Sequence, residues 1–304
     1  MMRRAMTGIQ ASAVVLTSAL AIAGGLAVPA SATSRSSARL HYSWAVDAPV
    51  LAGSVAALVL GNAISTATVP VPPGGLDPAG IHWQIDRNSL HDIDETAATR
   101  SNTLLKVSLV LPVALGLATA APGNHWRAAG DRAALWAESA GVTQGLTTLL
   151  KNSVSRPRPF TYQDEAQRPD DSIYDVEDDR AFRSMPSGHA STAWCGAALL
   201  WMDPWLEAPD ATWKRRAAVS FAGATIAMAT GALRVEAGQH FPTDVAAGAA
   251  IGAASGTLVP LLHGYTDHGH AVPRPTARHW LDRAAGVAAG IGVGALLSEA
   301  LGGH

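Results

Sequence analysis

Two basic residues flank the junction between an apolar segment and a proline-rich stretch at 151–159, which reads KNSVSRPRP. Because Pro157 and Pro159 cannot continue a helix, we expect Lys151 near a helix end and Arg158 on an extended segment. Lysine supplies a point charge and arginine a rigid donor fork, a combination suited to a phosphate group. Taken alone, such residues are more simply explained as partners of the helix dipole or as topology signals.

The second group of residues, Pro186-Ser187-Gly188-His189, stands directly before another apolar segment. Proline, serine and glycine are typical of a helix start, where unpaired backbone N–H groups bind anions. The Ser187 hydroxyl adds a polar group to such a site, and His189 lies one step deeper as a proton donor. An ordinary capped helix with a satisfied histidine would show the same pattern.

The third group spans residues 233–244, which read LRVEAGQHFPTD and contain Arg234. Pro242 fits the first position of a helix, which places Asp244 in its first turn and His240 just ahead. A carboxylate that binds one ring nitrogen of His240 would leave the other free as a nucleophile and stabilise the charged ring. An isolated His/Asp pair is more often a structural hydrogen bond.

The order and spacing of all three groups resemble the signature of the phosphatidic acid phosphatase type 2 (PAP2) and vanadium haloperoxidase superfamily. The first group has Lys and Arg-Pro separated by six residues, and the second is Pro-Ser-Gly-His. In the third group, five residues separate Arg from His, and three more separate His from Asp. Agreement at so many positions is not expected by chance. The resemblance covers residues 130–263 and favours the membrane or periplasmic bacterial phosphatase branch.

The resemblance implies a phosphatase that forms a phosphohistidine intermediate without a metal. His240 would attack phosphorus, Asp244 would orient it, and His189 would protonate the leaving oxygen and later activate water. The phosphate would be bound by five residues: Lys151, Arg158, Ser187, Gly188 and Arg234. The implied substrate is a phosphate monoester or diphosphate, and the apolar helical setting favours a lipid.

Two positions stand out against this pattern. Leu233 occupies a place where the family usually has serine, so one hydroxyl contact is absent and altered affinity or packing is expected. Arg156 is interpreted as a spare basic residue beside the site, because the spacing from Lys151 favours Arg158 as the ligand.

Apolar segments rich in Ala, Leu, Val and Gly predict an all-α fold of about six or seven helices with a PAP2-like core. No alternation typical of strands stands out. The segments lie at 47–68, 103–121, 132–150, 188–203, 217–234, 243–262 and 284–300. Charged residues make up only 15% of the chain, against roughly 25% in soluble domains, and Ala and Gly fill the apolar segments, so close helix packing is expected. A membrane-embedded bundle is favoured. A buried helix of a soluble periplasmic bundle would look similar, and 132–150 is the poorest candidate span.

The first 32 residues resemble an export signal, with Arg3 and Arg4 before an apolar run and Ala30-Ser31-Ala32 as a cleavage site. An uncleaved membrane anchor is the alternative. The remaining chain divides into an N-terminal helical region (33–129), the catalytic core (130–263) and a C-terminal loop and helix (264–304). We therefore expect an exported protein, either in the cell membrane with its site facing outward or in the periplasm.

Basic residues concentrate in alternate connections between the predicted helices: Arg127, Arg132, Lys214, Arg215, Arg216, Arg274, Arg278 and Arg283. The positive-inside rule places these connections in the cytoplasm and the loops 151–187 and 235–242 outside. A cleaved signal conflicts with this orientation if 47–68 is a full span, because it leaves the mature N-terminus outside. Either segment 47–68 does not cross the membrane as a full span, or the chain is not an integral membrane protein.

No cofactor is expected, and a metal is disfavoured. The acidic stretch 164–180 lacks the regular spacing of a calcium loop, and His263, Asp267, His268 and His270 fit no single helix face. A net charge of -2 without a basic patch also argues against nucleic acid. Two other functions remain open, a vanadium-dependent haloperoxidase and a non-catalytic membrane scaffold.

Overall fold

The computed structural model describes residues 39–41, 43–120, 126–203, 211–267 and 270–302. The predicted signal at 1–32 lies outside these residues. The described residues form eight helices: α1 (Trp44–Ala63), α2 (Gln84–Arg87), α3 (Glu95–Ala120), α4 (Trp126–Val154), α5 (Gly188–Trp201), α6 (Trp213–Glu236), α7 (Pro242–His263) and α8 (Ala277–Gly302). The seven long helices correspond to the seven predicted segments, so the all-α prediction is confirmed.

Three very short strands form a small antiparallel sheet beside the helices. They are β1 (Arg39–Leu40), β2 (Tyr265–Asp267) and β3 (His270–Ala271), in the order β1-β2-β3. The sheet joins the chain before α1 to the connection between α7 and α8. It contributes little to the core, which is built from helices.

Helix α5 is the centre of the bundle. Every residue from Ala190 to Trp201 is buried, and the helix packs against α7, α6, α3 and α4. Its core contacts are mostly alanine, with Trp194 and Trp201 meeting edge to face at 6.4 Å between ring centroids. Because four helices surround α5, its position is fixed, and a functional group at its first turn would be held firmly in place.

Glycines allow the closest helix contacts. On α7, Gly248, Gly252 and Gly256 face the backbone of α5, and a Cβ at Gly252 would overlap the carbonyl oxygen of Ser191. Close backbone approach of this kind requires residues without a side chain. The α5–α7 contact therefore depends on this glycine stripe.

The two ends of the bundle differ in what they carry. The three sequence motifs lie where α4 and α6 end and where α5 and α7 begin, and we call this the motif end. At the opposite end, the basic end, Arg132 pairs with Asp203 at 3.1 Å and Arg216 with Asp282 at 2.7 Å. The basic residues used for the topology prediction thus lie far from the motifs.

Helix α1 begins at the basic end and runs parallel to α4. The Leu40 N–H donates to Asp131 at 3.2 Å, next to the start of α4, whereas Gly61 at the far end of α1 contacts Leu149. Helix α1 packs mainly on α4 and exposes most of its apolar surface. Because α1 begins at the basic end, its direction constrains the membrane topology.

Five of the described helices are long and apolar enough to cross a membrane: α1, residues 95–118 of α3, α6, α7 and α8. Helix α4 is not among them, in agreement with its charged and polar content. These apolar helices indicate membrane association.

Candidate active site

Backbone hydrogen bonds bring the three motifs together at the motif end. Ser184 N–H donates to the Arg156 carbonyl at 2.9 Å, which joins the second motif to the first. Phe160 N–H donates to the Gly238 carbonyl at 3.1 Å, and Ser187 N–H donates to the Asp244 carbonyl at 2.9 Å. The three motifs therefore converge in space, and main-chain hydrogen bonds hold them together.

A glycine turn places His240 beside the end of α6. Gly238 has a φ of +61°, a left-handed conformation that favours glycine, and a Cβ there would lie 2.8 Å from Ile93 Cγ1. The turn lets the Gln239 and His240 N–H groups both donate to the Arg234 carbonyl, at 3.1 and 3.2 Å. His240 is thereby fixed next to Arg234 and is only 1% exposed.

Gln239 links two of the predicted phosphate ligands. Its side-chain oxygen accepts from Arg158 at 2.7 Å and from Arg234 at 3.3 Å. Lys151 donates to the Arg183 carbonyl at 2.9 Å, which brings its ammonium group to the second motif. The three cations from two motifs therefore surround one region of the site.

These cations strongly affect both histidines. Burial and then the charges of the three cations hold the pKa of His240 well below its ordinary value. The same causes lower the pKa of His189 to about 3. Both rings are consequently neutral near pH 7, as a nucleophile requires.

The predicted cationic ligands differ from neighbouring arginines in their partners. Arg156, Arg180 and Arg183 all pair with aspartates. Within the described part of the chain, by contrast, Lys151, Arg158 and Arg234 have no carboxylate within the ion-pair distance of 4.0 Å. Charges gathered without counter-ions at a buried site favour an anionic ligand.

Ser187 and Gly188 occupy the predicted helix start. Helix α5 begins at Gly188, and the buried Ser187 hydroxyl accepts from the Ala190 N–H at 3.4 Å as its N-cap. The first N–H groups of a helix have no partner within the helix, so Gly188 N–H is suited to an anion. The helix also begins with its positive dipole end toward the site.

The predicted hydrogen bond between Asp244 and His240 is not made in this structure. Asp244 Oδ2 lies 3.8 Å from His240 Nδ1, an ion-pair distance, and His240 Nδ1 makes no hydrogen bond among the described residues. Asp244 Oδ2 instead accepts from Phe241 N–H at 2.8 Å and from the Ser184 hydroxyl at 2.5 Å. Capping its own helix therefore holds the carboxylate beside the ring, at a distance just too long for a hydrogen bond.

The interpretation of Arg156 as a spare basic residue is wrong. Arg156 donates to Asp244 at 2.6 Å and to Asp86 at 2.7 Å, and its guanidinium stacks 4.3 Å from the Phe241 ring centroid. Proximity along the chain could not reveal these contacts, because Asp86 is 70 residues away.

Leu233, the departure from the family pattern, points into the hydrophobic core. It is fully buried with Ala97, Leu104 and Leu301, on α3 and α8. Ser101 on α3 places its hydroxyl 3.5 Å from Arg234 Nη1. A hydroxyl group thus lies beside Arg234 even though residue 233 carries none.

The N-terminal region adds side chains that sequence reasoning missed. His189 Nε2 lies 2.7 Å from the side-chain oxygen of Asn102 on α3, and Asp86 on α2 contacts the Arg156 guanidinium. No motif marked these two residues. Only the three-dimensional packing of residues 84–102 on the core identifies them.

A separate group of titratable side chains lies toward the basic end. Asp47, Glu138 and His263 have potential metal-ligand atoms within 4.8 Å of one another. His263 Nε2 already contacts Glu138 at 2.6 Å, and Nδ1 lies 3.3 Å from Asp47. We interpret this group as an ionic cluster that ties α1, α4 and α7 together. Of the histidines considered in the sequence as metal ligands, His268 lies outside the described residues.

Comparison with known families agrees with the motifs. The model of the PAP2 superfamily matches residues 133–267, so the chain contains a PAP2 superfamily domain. A domain of this superfamily implies phosphatase or haloperoxidase-like activity. No curated protein and no solved structure shows a significant match to the chain.

Proposed function

We propose that the protein is a phosphatase that hydrolyses a phosphate monoester or diphosphate, with a lipid as the phosphate carrier. The observation that carries the proposal is the group of three cations that have no carboxylate partner among the described residues and that lower the pKa of two adjacent histidines. A phosphate dianion would relieve their mutual repulsion. The same charges would stabilise the equatorial oxygens of the transition state.

In this proposal the phosphate oxygens are bound by Lys151, Arg158, Arg234, the Ser187 hydroxyl and the Gly188 N–H. His240 attacks phosphorus through Nε2, because Nδ1 is the nitrogen that faces Asp244. A P–N bond forms as the P–O bond to the leaving group breaks, and His189 gives that oxygen a proton. His189 then takes a proton from water, whose oxygen attacks phosphorus, and the P–N bond breaks to release phosphate.

His189 must gain a proton before it acts as an acid. Its pKa is low because partial burial and the three nearby cations disfavour the charged ring. A bound phosphate dianion offsets these charges and raises the pKa of the ring. Substrate binding would thus prepare the acid, and the three cations replace the charge stabilisation that a metal ion provides elsewhere.

Phosphate release by the purified protein in detergent tests the proposal. We expect activity toward phosphatidic acid or a polyprenyl diphosphate, resistance to EDTA, and loss of turnover in His240→Ala. No release from any lipid or soluble phosphate would contradict the phosphatase. Halide oxidation that requires added vanadate would instead support the haloperoxidase. Equal phosphate release by the parent and His240→Ala would support the non-catalytic scaffold.

We also propose that the motif end faces outward, because the basic end fits the cytoplasmic side. Helix α1 starts at the basic end, so it would begin in the cytoplasm if it spans. A cleaved signal at 1–32 would put the same residues outside, and both statements cannot hold together. The variants Asp77→Cys at the motif end and Lys214→Cys at the basic end, each combined with Cys195→Ala to remove the native cysteine, test the orientation. Only Asp77→Cys should react with an impermeant maleimide on intact cells.

A further inference from the structure

We propose that Asp86 and Arg156 are positioning residues that hold the Asp244 carboxylate against the reacting histidine. The proposal rests on the proposed function, in which His240 carries the phosphoryl group. Asp86 lies outside the residues that the family model matches, so the N-terminal region would complete the site.

Arg156 holds one oxygen of Asp244. Its Nη1 donates to Asp244 Oδ1 at 2.6 Å, while Oδ2 accepts from Phe241 and Ser184. Both oxygens of this fully buried carboxylate are therefore engaged. The three contacts fix its plane at 3.8 Å from His240 Nδ1.

Asp86 in turn fixes Arg156 from the opposite side. The second guanidinium nitrogen, Nη2, donates to Asp86 Oδ2 at 2.7 Å. Thr243 completes the link, since its hydroxyl donates to Asp86 at 2.6 Å and its N–H at 3.2 Å. A planar fork that spans two carboxylates is a geometry that lysine cannot reproduce.

Asp86 therefore does two things at the start of α7. It accepts an N–H from the first turn of that helix, and it orients the arginine that holds Asp244. Asp86 is fully buried, and its segment is short and otherwise peripheral. Burial of a carboxylate is costly unless it is paired, so its place beside Arg156 and Thr243 is specific.

The chemical consequence concerns the charged ring. When His240 forms a bond to phosphorus, its ring becomes positive and the nearby carboxylate stabilises it. An ionised, correctly placed Asp244 matters most in the transition state, whereas ground-state phosphate depends on the three cations. Loss of the Asp86–Arg156 pair should therefore affect catalysis more than phosphate binding.

Three variants test this inference: Asp86→Asn, Arg156→Lys and the double variant. We expect kcat to fall by about 10- to 100-fold in Arg156→Lys and about 10-fold in Asp86→Asn, with KM within about threefold. Because the two residues act in one network, the double variant should be no worse than Arg156→Lys within about threefold. Asp77→Asn and Arg87→Lys, at exposed positions near α2, are the matched controls.

Binding of two anions provides a measurement that does not need turnover. Vanadate mimics the five-coordinate transition state, whereas inorganic phosphate occupies only the cationic site. We expect the vanadate dissociation constant to rise about 10-fold in both single variants, with the phosphate constant within about threefold of the parent.

Unchanged kcat and unchanged vanadate affinity relative to the controls would overturn the positioning role. An equal fall in phosphate and vanadate affinity would also overturn it, since it would mean general damage to the pocket. If Asp86→Asn does not fold, Arg156→Lys decides by the same criteria. The parent itself could release no phosphate while the variants still lose affinity for vanadate but not for phosphate. That result would preserve the positioning role and reject the phosphatase.

Discussion

The two histidines of the site lie in contrasting surroundings. His240 is almost fully buried, follows a glycine turn and faces a carboxylate that is itself held by several partners. His189 is only partly buried, and its ring contacts Asn102, an exposed residue of a different helix. A fixed, dry ring suits the atom that bonds to phosphorus. A ring open to water suits the group that exchanges protons.

Removal of each histidine should separate these roles most strongly. His240→Ala eliminates the nucleophile, so we expect no turnover above background. His189→Ala leaves the nucleophile, and we expect kcat to fall by about 10²- to 10⁴-fold, the usual contribution of a general acid–base group. Steady-state phosphate release measures both. Residual activity that is larger in His240→Ala than in His189→Ala would reverse the assignment.

The cations should set the pH at which His240 loses its proton. Its pKa lies below the ordinary value, so kcat/KM should fall on the acid side only below about pH 6.5. Arg158→Gln removes one positive charge that disfavours the protonated ring, so the pKa of His240 rises. The acid limb of kcat/KM should therefore move to higher pH. Arg168→Gln in the neighbouring loop is the control. An equal shift of the acid limb in Arg168→Gln, or no shift in Arg158→Gln, would contradict the electrostatic cause.

The glycine stripe between α5 and α7 sets the distance between the helices that follow the two histidines. Gly252→Val would place atoms into the Ser191 carbonyl, so we expect a loss of about 1–3 kcal/mol in stability. Gly53→Ala on α1 meets no neighbour within 4 Å and should be neutral or slightly stabilising. Thermal unfolding in detergent measures both. Equal midpoints for the two variants would show that close packing of α5 on α7 is not required.

The sequence predicted those parts of the site that depend on local signals. The prolines correctly predicted that Ser187 and Gly188 begin one helix and that Pro242 begins another. The apolar segments correctly predicted the seven long helices of the described residues. Contacts between distant segments left no local signal. Asp86 and Asn102 lie in stretches without a motif, and the role of Arg156 depends on which carboxylates surround it.

The same limit explains why the sequence predicted a hydrogen bond between Asp244 and His240 that this structure does not contain. Spacing places its carboxylate within reach of His240, but it does not show that Phe241 N–H and the Ser184 hydroxyl compete for the same oxygen. Main-chain donors at a helix start are obligatory partners, so they take precedence over a side chain.

The last and smallest effect concerns the partner of His189. In Asn102→Asp, a carboxylate replaces the amide oxygen 2.7 Å from Nε2 and favours the protonated ring. The pKa of His189 should therefore rise from its low value of about 3. Since protonated His189 is the acid, the alkaline limb of kcat should move to higher pH, while kcat at its optimum stays within about threefold. Asn88→Asp, an exposed amide on the preceding segment, should leave the limb in place. An unmoved alkaline limb in Asn102→Asp would show that proton supply does not pass through His189, and the contrast between the two histidines would lose its functional meaning.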